Sequence, residues 1–491
     1  MSTSRRRFLG ALLGAGAASA LSLAGSRPAR SGAKPAKHLI VVTGFGGASI
    51  IDSFLPIAAS ESQNAATLDT YLDADIVTVP GSPIRTHSFK GTVLSSPAPG
   101  DLPQFLAAHR HDMMITTSTV SSVNHAVAQK RSMNGGGAMH GRTLTECVAL
   151  EYGAGYPLPN VNMGSLGFLE SGSDPSLPSF ARQEPVNAPL KLALGLDGRR
   201  GIQGVPSDAS LELARAVRRD RLDPESAFYK TFRKSDRLTR YLAQRDTDLP
   251  TVEQADLVTQ LNLLGPDDGP DGSPLDLAAF GLASSPDHDL LRTVFPAMST
   301  DPLEAQAALA YLLIKNRVSV AVTLGPNFNL TLGETTLIAN PPLSFDRSHQ
   351  EHRATQSFMW GRLTSIIDRL IGLLKNAEFD ATTGESFWDR TMIHVATGFG
   401  RSKNRPTNAP DYSSGHDLNN GNLTLAPFVK GNTVLGGVNF DTARTYGFDT
   451  ATGAPLTGKE MQEGEIFMGL LGALEVPIAG GAFPDVPAMR K

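Results

Sequence analysis

The stretch Leu343–His352 reads Leu-Ser-Phe-Asp-Arg-Ser-His-Gln-Glu-His, and it packs Asp346, His349, Glu351 and His352 into seven residues. Carboxylate oxygens and imidazole nitrogens placed this close can share one hard or borderline divalent ion. Asp and His also gather in solvated loops, so the spacing does not decide by itself. Its company strengthens the metal reading: Asp52 and His125 each follow a strand-like run, and His416 lies in a loop near the end of the chain. Together these residues suggest one degenerate metallohydrolase-type site. Such a site needs hard ligands for the ion, a nucleophile or activated water, and positive charge to steady an oxyanion. Arg401, after Gly398-Phe399-Gly400, offers that charge. Glu351 lies within the same seven residues, and Asp417 follows His416. Asn124 suits either a ligand-orienting role or a helix cap, and His394, in mid-strand, reads as a core histidine.

The elements that must position these groups are alternating strands and helices. His38–Thr43 is a continuous apolar run, the pattern of a strand buried on both faces of a parallel sheet. Asp112–Thr117, Val318–Leu324, Thr391–Thr397 and Leu423–Val429 read as further strands, and Asp75–Val79 as a short one. Arg142–Tyr152, Asp301–Lys315, Thr355–Asn376 and Glu463–Leu474 read as helices, and His125 opens another. This alternation predicts an α/β fold with a doubly wound sheet. Ligands in such sheets bind beyond the carboxyl ends of the strands, which is where Asp52, His125 and Arg401 fall. The first part of the core is expected over 36–180 and the second over 291–491. A mostly helical insertion is expected over 181–290, with charged helices at Ala209–Arg219 and Ser226–Gln244 and a turn-rich linker at 265–274.

Composition sets the outer limits. The 491 residues can bury a large core, and a net charge of −4 without a basic stripe argues against a nucleic-acid partner. A single cysteine, Cys147, excludes an internal disulfide and reads as a buried thiol. With only 2 Trp and 8 Tyr, a sugar-stacking surface finds little support.

Residues 1–25 read as a targeting segment. Ser4-Arg5-Arg6-Arg7-Phe8-Leu9 precedes a short apolar run, Ala11 to Leu23, the pattern of a twin-arginine export signal. That run is too short to span a bilayer comfortably. Cleavage near Ala20 or Ala24 would take the net charge from −4 to −7 by removing Arg5, Arg6 and Arg7. The expected partner in export is the twin-arginine translocase. The expected location is periplasmic or extracellular, with no transmembrane anchor after cleavage.

Several short motifs then fall in a familiar order. Gly46-Gly47-Ala48-Ser49-Ile50-Ile51-Asp52-Ser53-Phe54 resembles the Gly-Gly-Pro-Ser-His-Ile-Asp-Thr-Phe of the DUF1501-type proteins. These are twin-arginine-exported, sulfatase-like members of the alkaline phosphatase superfamily. Asn124-His125-Ala126-Val127-Ala128, Phe345-Asp346-Arg347-Ser348-His349, Phe399-Gly400-Arg401, Gly415-His416 and Gly436-Gly437-Val438 resemble further motifs of that family. The resemblance covers most of residues 38–475. It implies an alkaline-phosphatase-like α/β/α sandwich with a mostly parallel central sheet. It also implies one divalent metal (Zn, Ca, Mg or Mn) held by Asp346, His349 or His352, and His416. Asp52 would serve that ion or a second one, and His125 would fall near the nucleophile's place. The family's His, acidic residue and Asp are here Ile50, Gly398 and Gly415, so a two-metal site looks impaired. The function implied is a degenerate hydrolase of phosphate or sulfate esters, small or polymeric. The alternative is an inactive envelope protein that binds a ligand or partner.

Overall fold

The computed structural model describes residues 34–89, 100–196, 206–243, 245–246, 255, 257–269, 273–280, 282–326, 343–407 and 409–491. The expected export segment over residues 1–25, Gln244 and residues 270–272 of the expected linker lie outside these. All elements below belong to Lys37–Lys491.

The sheet grows from the runs that cannot be left in water. β1 (His38–Thr43) is buried at every residue, as is β6 (Thr391–Ala396) beside it. The other strands are β2 (Met113–Thr119), β3 (Asn160–Asn162), β4 (Glu184–Pro185), β5 (Ala321–Leu324), β7 (Asn419–Leu425) and β8 (Thr433–Leu435). They form one eight-stranded sheet in the order β8-β2-β7-β6-β1-β5-β3-β4. Pairing is parallel at β1–β6, β1–β5, β3–β5, β3–β4 and β2–β8, and antiparallel only where β7 meets β6 and β2. The protein is therefore α/β with a mostly parallel sheet, as the alternation predicts. β7 begins four residues before the expected Leu423, and the Ile76–Thr78 strand pairs with Arg85–His87 in a separate hairpin.

Five helices matter for the site and its support: α1 (His125–Asn134), α2 (Leu144–Tyr152), α3 (Pro302–Lys315), α4 (His352–Asn376) and α5 (Glu463–Ala473). α4 starts three residues earlier than its apolar pattern suggests, because the carboxylate of Asp411 accepts from the Arg353 and Ala354 amides. α3 and α4 share one core cluster with Ile40 and Val42, while α2 packs on β1 and on α5 outside that cluster. Leu39, Ile40, Val41 and Val42 have no exposed surface. The described part of 181–290 carries short helices, among them Asp208–Val217, Ala227–Phe232 and Asp236–Ala243.

The topology fixes where chemistry can occur. β1, β2, β5 and β6 run in one direction, so Gly44, Val120, Gly325 and Thr397 leave the sheet at the same edge. β7 runs the other way, so the residues before it, His416 and Asp417, return to that edge.

Two core histidines tie stability to pH. His38 in β1 sits between the rings of Phe379 and Phe387, and burial, then Arg317 and Arg390, lower its pKa to about 3. His394 in β6 bonds the Thr424 hydroxyl at 3.0 Å, and burial lowers its pKa to about 4. Unfolding frees both to protonate near 6.5, so their contribution is whole above that pH and declines as the pH falls toward the folded values. For His394 the span corresponds to about 3 kcal/mol. His394→Leu should flatten the loss of stability between pH 6.5 and 4 in urea titrations; an unchanged pH slope would contradict the assignment.

Candidate metal centre

The sheet edge gathers the predicted residues into two adjoining pockets. His125, Asp346, His349 and His416 form the first; Asp52 and His352 form the second, together with Asp69. The single site expected from sequence is thus divided, because a turn of chain separates His349 from His352. Phe345–His349 is a 3-10 turn, and α4 begins at His352, so the two rings leave in different directions.

In the first pocket, His416 Nε2 lies 3.1 Å from His125 Nε2 and 2.9 Å from His349 Nε2. Asp346 Oδ1 is 3.4 Å from His125 Nε2 and 3.7 Å from His349 Nε2. Asn124 caps α1 by accepting from the Val127 amide, which sets His125 at the first turn. His416 is set by a two-residue ribbon that pairs it with Arg401. Burial, opposed by Asp346, lowers the His125 pKa, and burial followed by Arg401 lowers that of His349. Burial, then Arg401, brings His416 to about 4. All three rings are therefore neutral near pH 7. One Nε2 lone pair cannot accept from two neighbours, and one N–H cannot serve both, so the two N···N contacts at His416 are not both satisfied by hydrogen bonding. A divalent cation at the point of convergence satisfies every donor at once, and three imidazoles with one carboxylate suit zinc better than calcium or magnesium. The donor set fits a metal.

Arg401, expected to supply the positive charge of the site, has a side chain with no exposed surface. It donates to the Gly46 and Ser414 carbonyls and to Asp346 Oδ1 at 3.1 Å. Burial lowers its pKa only to about 10, so it keeps its charge and holds Asp346 in place. His125, expected near a nucleophile's position, shares the ligand cluster. Glu351 pairs with Arg347 and Asp417 accepts from Asn419, so neither joins a pocket. A side chain at Gly415 would meet open space, whereas one at Gly398 would press on Gln129 of α1.

The loop after β1 must pass very close to this pocket. Gly46 has φ +86°, and a Cβ there would lie 2.2 Å from the Asp346 amide nitrogen. Only glycine permits that approach. α4 clamps the same loop: the Gln356 side chain bonds Ser49 N and Gly47 O, each at 3.0 Å, and Trp360 Nε1 donates to Ser49 O.

The second pocket is buried throughout. His352 Nε2 lies 3.2 Å from Asp52 Oδ2 and 3.5 Å from Asp69 Oδ2, and Lys403 Nζ contacts Asp52 directly. Burial alone would raise the Asp52 pKa, but Lys403 and then His352 hold it well below the usual carboxylate range. Asp69 and Lys403 were not anticipated from sequence. Cys147 is buried, and its pKa is pushed up to about 12 by burial, so the thiol is inert.

No family model matches the chain, and no curated protein matches it. Among solved structures, Ps i-CgsB is similar at 8% identity and TM-score 0.31, over 90% of this chain and 73% of that one. A phosphonate monoester hydrolase, SpPMH from Silicibacter pomeroyi, is similar at 12% identity and TM-score 0.29, over 93% and 76%. Overlaps this loose are likeness and no more.

If Arg401 positions rather than reacts, its geometry and not its charge is what counts. Arg401→Lys keeps the charge but not the planar fork, and leaves buried carbonyls unpaired. It should cost about 2–4 kcal/mol in urea unfolding; a wild-type midpoint would contradict the positioning role.

Proposed function

We propose that this chain is a metal-dependent hydrolase of the sulfatase/phosphatase type, with one divalent ion held by His125, His349, His416 and Asp346. The carrying observation is the convergence of three neutral imidazole nitrogens and a carboxylate at the carboxyl edge of a mostly parallel sheet. The order of short motifs resembling the DUF1501-type family supports an alkaline-phosphatase-like reading of that sheet. The ion, when bound, would polarise a phosphoryl or sulfuryl oxygen and acidify water. The chain's own residues would do the rest. Arg401 keeps Asp346 aimed inward, Asn124 fixes the start of α1 beneath His125, and His349, which is 43% exposed, leaves the pocket open to an ester. The export signal over residues 1–25 supports work in the periplasm or outside the cell. Among the described residues, no helix is long and apolar enough to cross a membrane.

A second reading, an inactive envelope protein that binds a ligand or partner, is favoured by one observation. Gly398 and Gly415 stand where the resembled family carries acidic residues, which leaves Asp346 as the carboxylate of the cluster.

Elemental analysis of the purified protein should find about one zinc-like ion per chain, lost in His416→Ala while the fold persists. Phosphate mono- and diesters, phosphonate esters and sulfate esters should then be screened. Turnover that falls at least about a hundredfold in His416→Ala supports the hydrolase. A bound ion with no turnover favours the binding protein, and a metal-free wild type after reconstitution overturns the metal-dependent hydrolase.

A further inference from the structure

The second pocket has the donors of a metal site and already contains a cation. Asp52, Asp69 and His352 offer two carboxylate oxygens and one imidazole nitrogen, all within 4.8 Å of one another. Lys403 Nζ lies against Asp52 Oδ2, 3.3 Å from His352 Nε2 and 3.9 Å from Asp69 Oδ2. An ammonium has three donors and no acceptor, and here it contacts Asp52 directly, lies within ion-pair range of Asp69 and adjoins the His352 ring. The other nearby cation, Arg353, stays outside the triangle: it approaches Asp69 through the opposite oxygen, Oδ1, at 2.9 Å, and donates to the Thr70 carbonyl. The two carboxylates thus face two fixed positive charges, Lys403 and Arg353. His352 has no exposed surface and Lys403 is 5% exposed. A divalent ion entering this space would meet the ammonium at short range and put two unbalanced charges in a buried site.

We infer that the Lys403 ammonium is a tethered, resident cation that takes the place of a second divalent ion in the Asp52–Asp69–His352 pocket. The inference goes beyond the proposed function and does not need the first pocket to hold metal. Lys403 lies two residues past Arg401, just beyond the two-residue strand Gly400–Arg401, and the two side chains reach different pockets.

Lys403→Met removes the ammonium and leaves two buried carboxylates facing Arg353 alone. The full-length variant, equilibrated with Zn²⁺ or Mn²⁺ and freed of excess by dialysis, should hold one more ion per chain than wild type. His352→Ala added to it should return the count to the wild-type value. Metal should also raise the melting temperature of Lys403→Met more than that of wild type. Should Lys403→Met fail to fold, Lys403→Gln, which keeps a donor to Asp52, reads the same count. A folded variant with the wild-type count overturns the inference, as does a wild type whose extra ion disappears in His352→Ala. A wild type with no ion and a variant with one would sink the first-pocket reading and leave this one standing.

Discussion

Buried carboxylates demand nearby positive charge, and the carboxyl edge of this sheet carries three of them. Asp52 and Asp69 are out of contact with water, and Asp346 is largely covered. An unpaired carboxylate in such surroundings would be neutralised or would unfold its neighbourhood. One short segment, Gly400–Lys403, answers the demand by sending Arg401 to Asp346 and Lys403 to Asp52. The two cations differ in kind. The guanidinium is planar and spends its donors on carbonyls as well as on Asp346, so it orders a loop. The ammonium is compact and sits between Asp52, Asp69 and His352.

This pairing requires the backbone to come unusually close. Gly46 passes within reach of Asp346, Arg401 bonds the Gly46 carbonyl, and Gln356 and Trp360 hold the following residues from α4. The first pocket is therefore preorganised by neighbours that would not touch a ligand. Its three rings converge from α1, the turn before α4 and the His416 ribbon. No single element could bring them together: His125 follows β2, and His416 returns to the same edge ahead of the antiparallel β7.

Much of this was legible in the sequence, for identifiable reasons. His38–Thr43 and Thr391–Ala396 are apolar at every step but a few, and only a sheet core accepts such runs. Arg401 follows the end of the Thr391 run, and His125 follows the end of the Asp112–Thr117 run. The partition of His349 and His352 was not legible, because it depends on where a 3-10 turn gives way to α4, and the Asp411 cap that sets this lies nearly sixty residues away. Asp69 lies in a turn-rich stretch with no strand signal, and Lys403 opens a polar loop where lysine ordinarily faces water. Each gains its role only through a contact distant in sequence.

The account stands on one ion in the first pocket and an ammonium in the second. Crystals of the wild-type protein equilibrated with zinc, with anomalous diffraction recorded on both sides of the zinc edge, would address both at once. The account predicts one strong peak within bonding reach of His125, His349, His416 and Asp346, and none between Asp52, Asp69 and His352. A peak in the second pocket, or an empty first pocket, would contradict it.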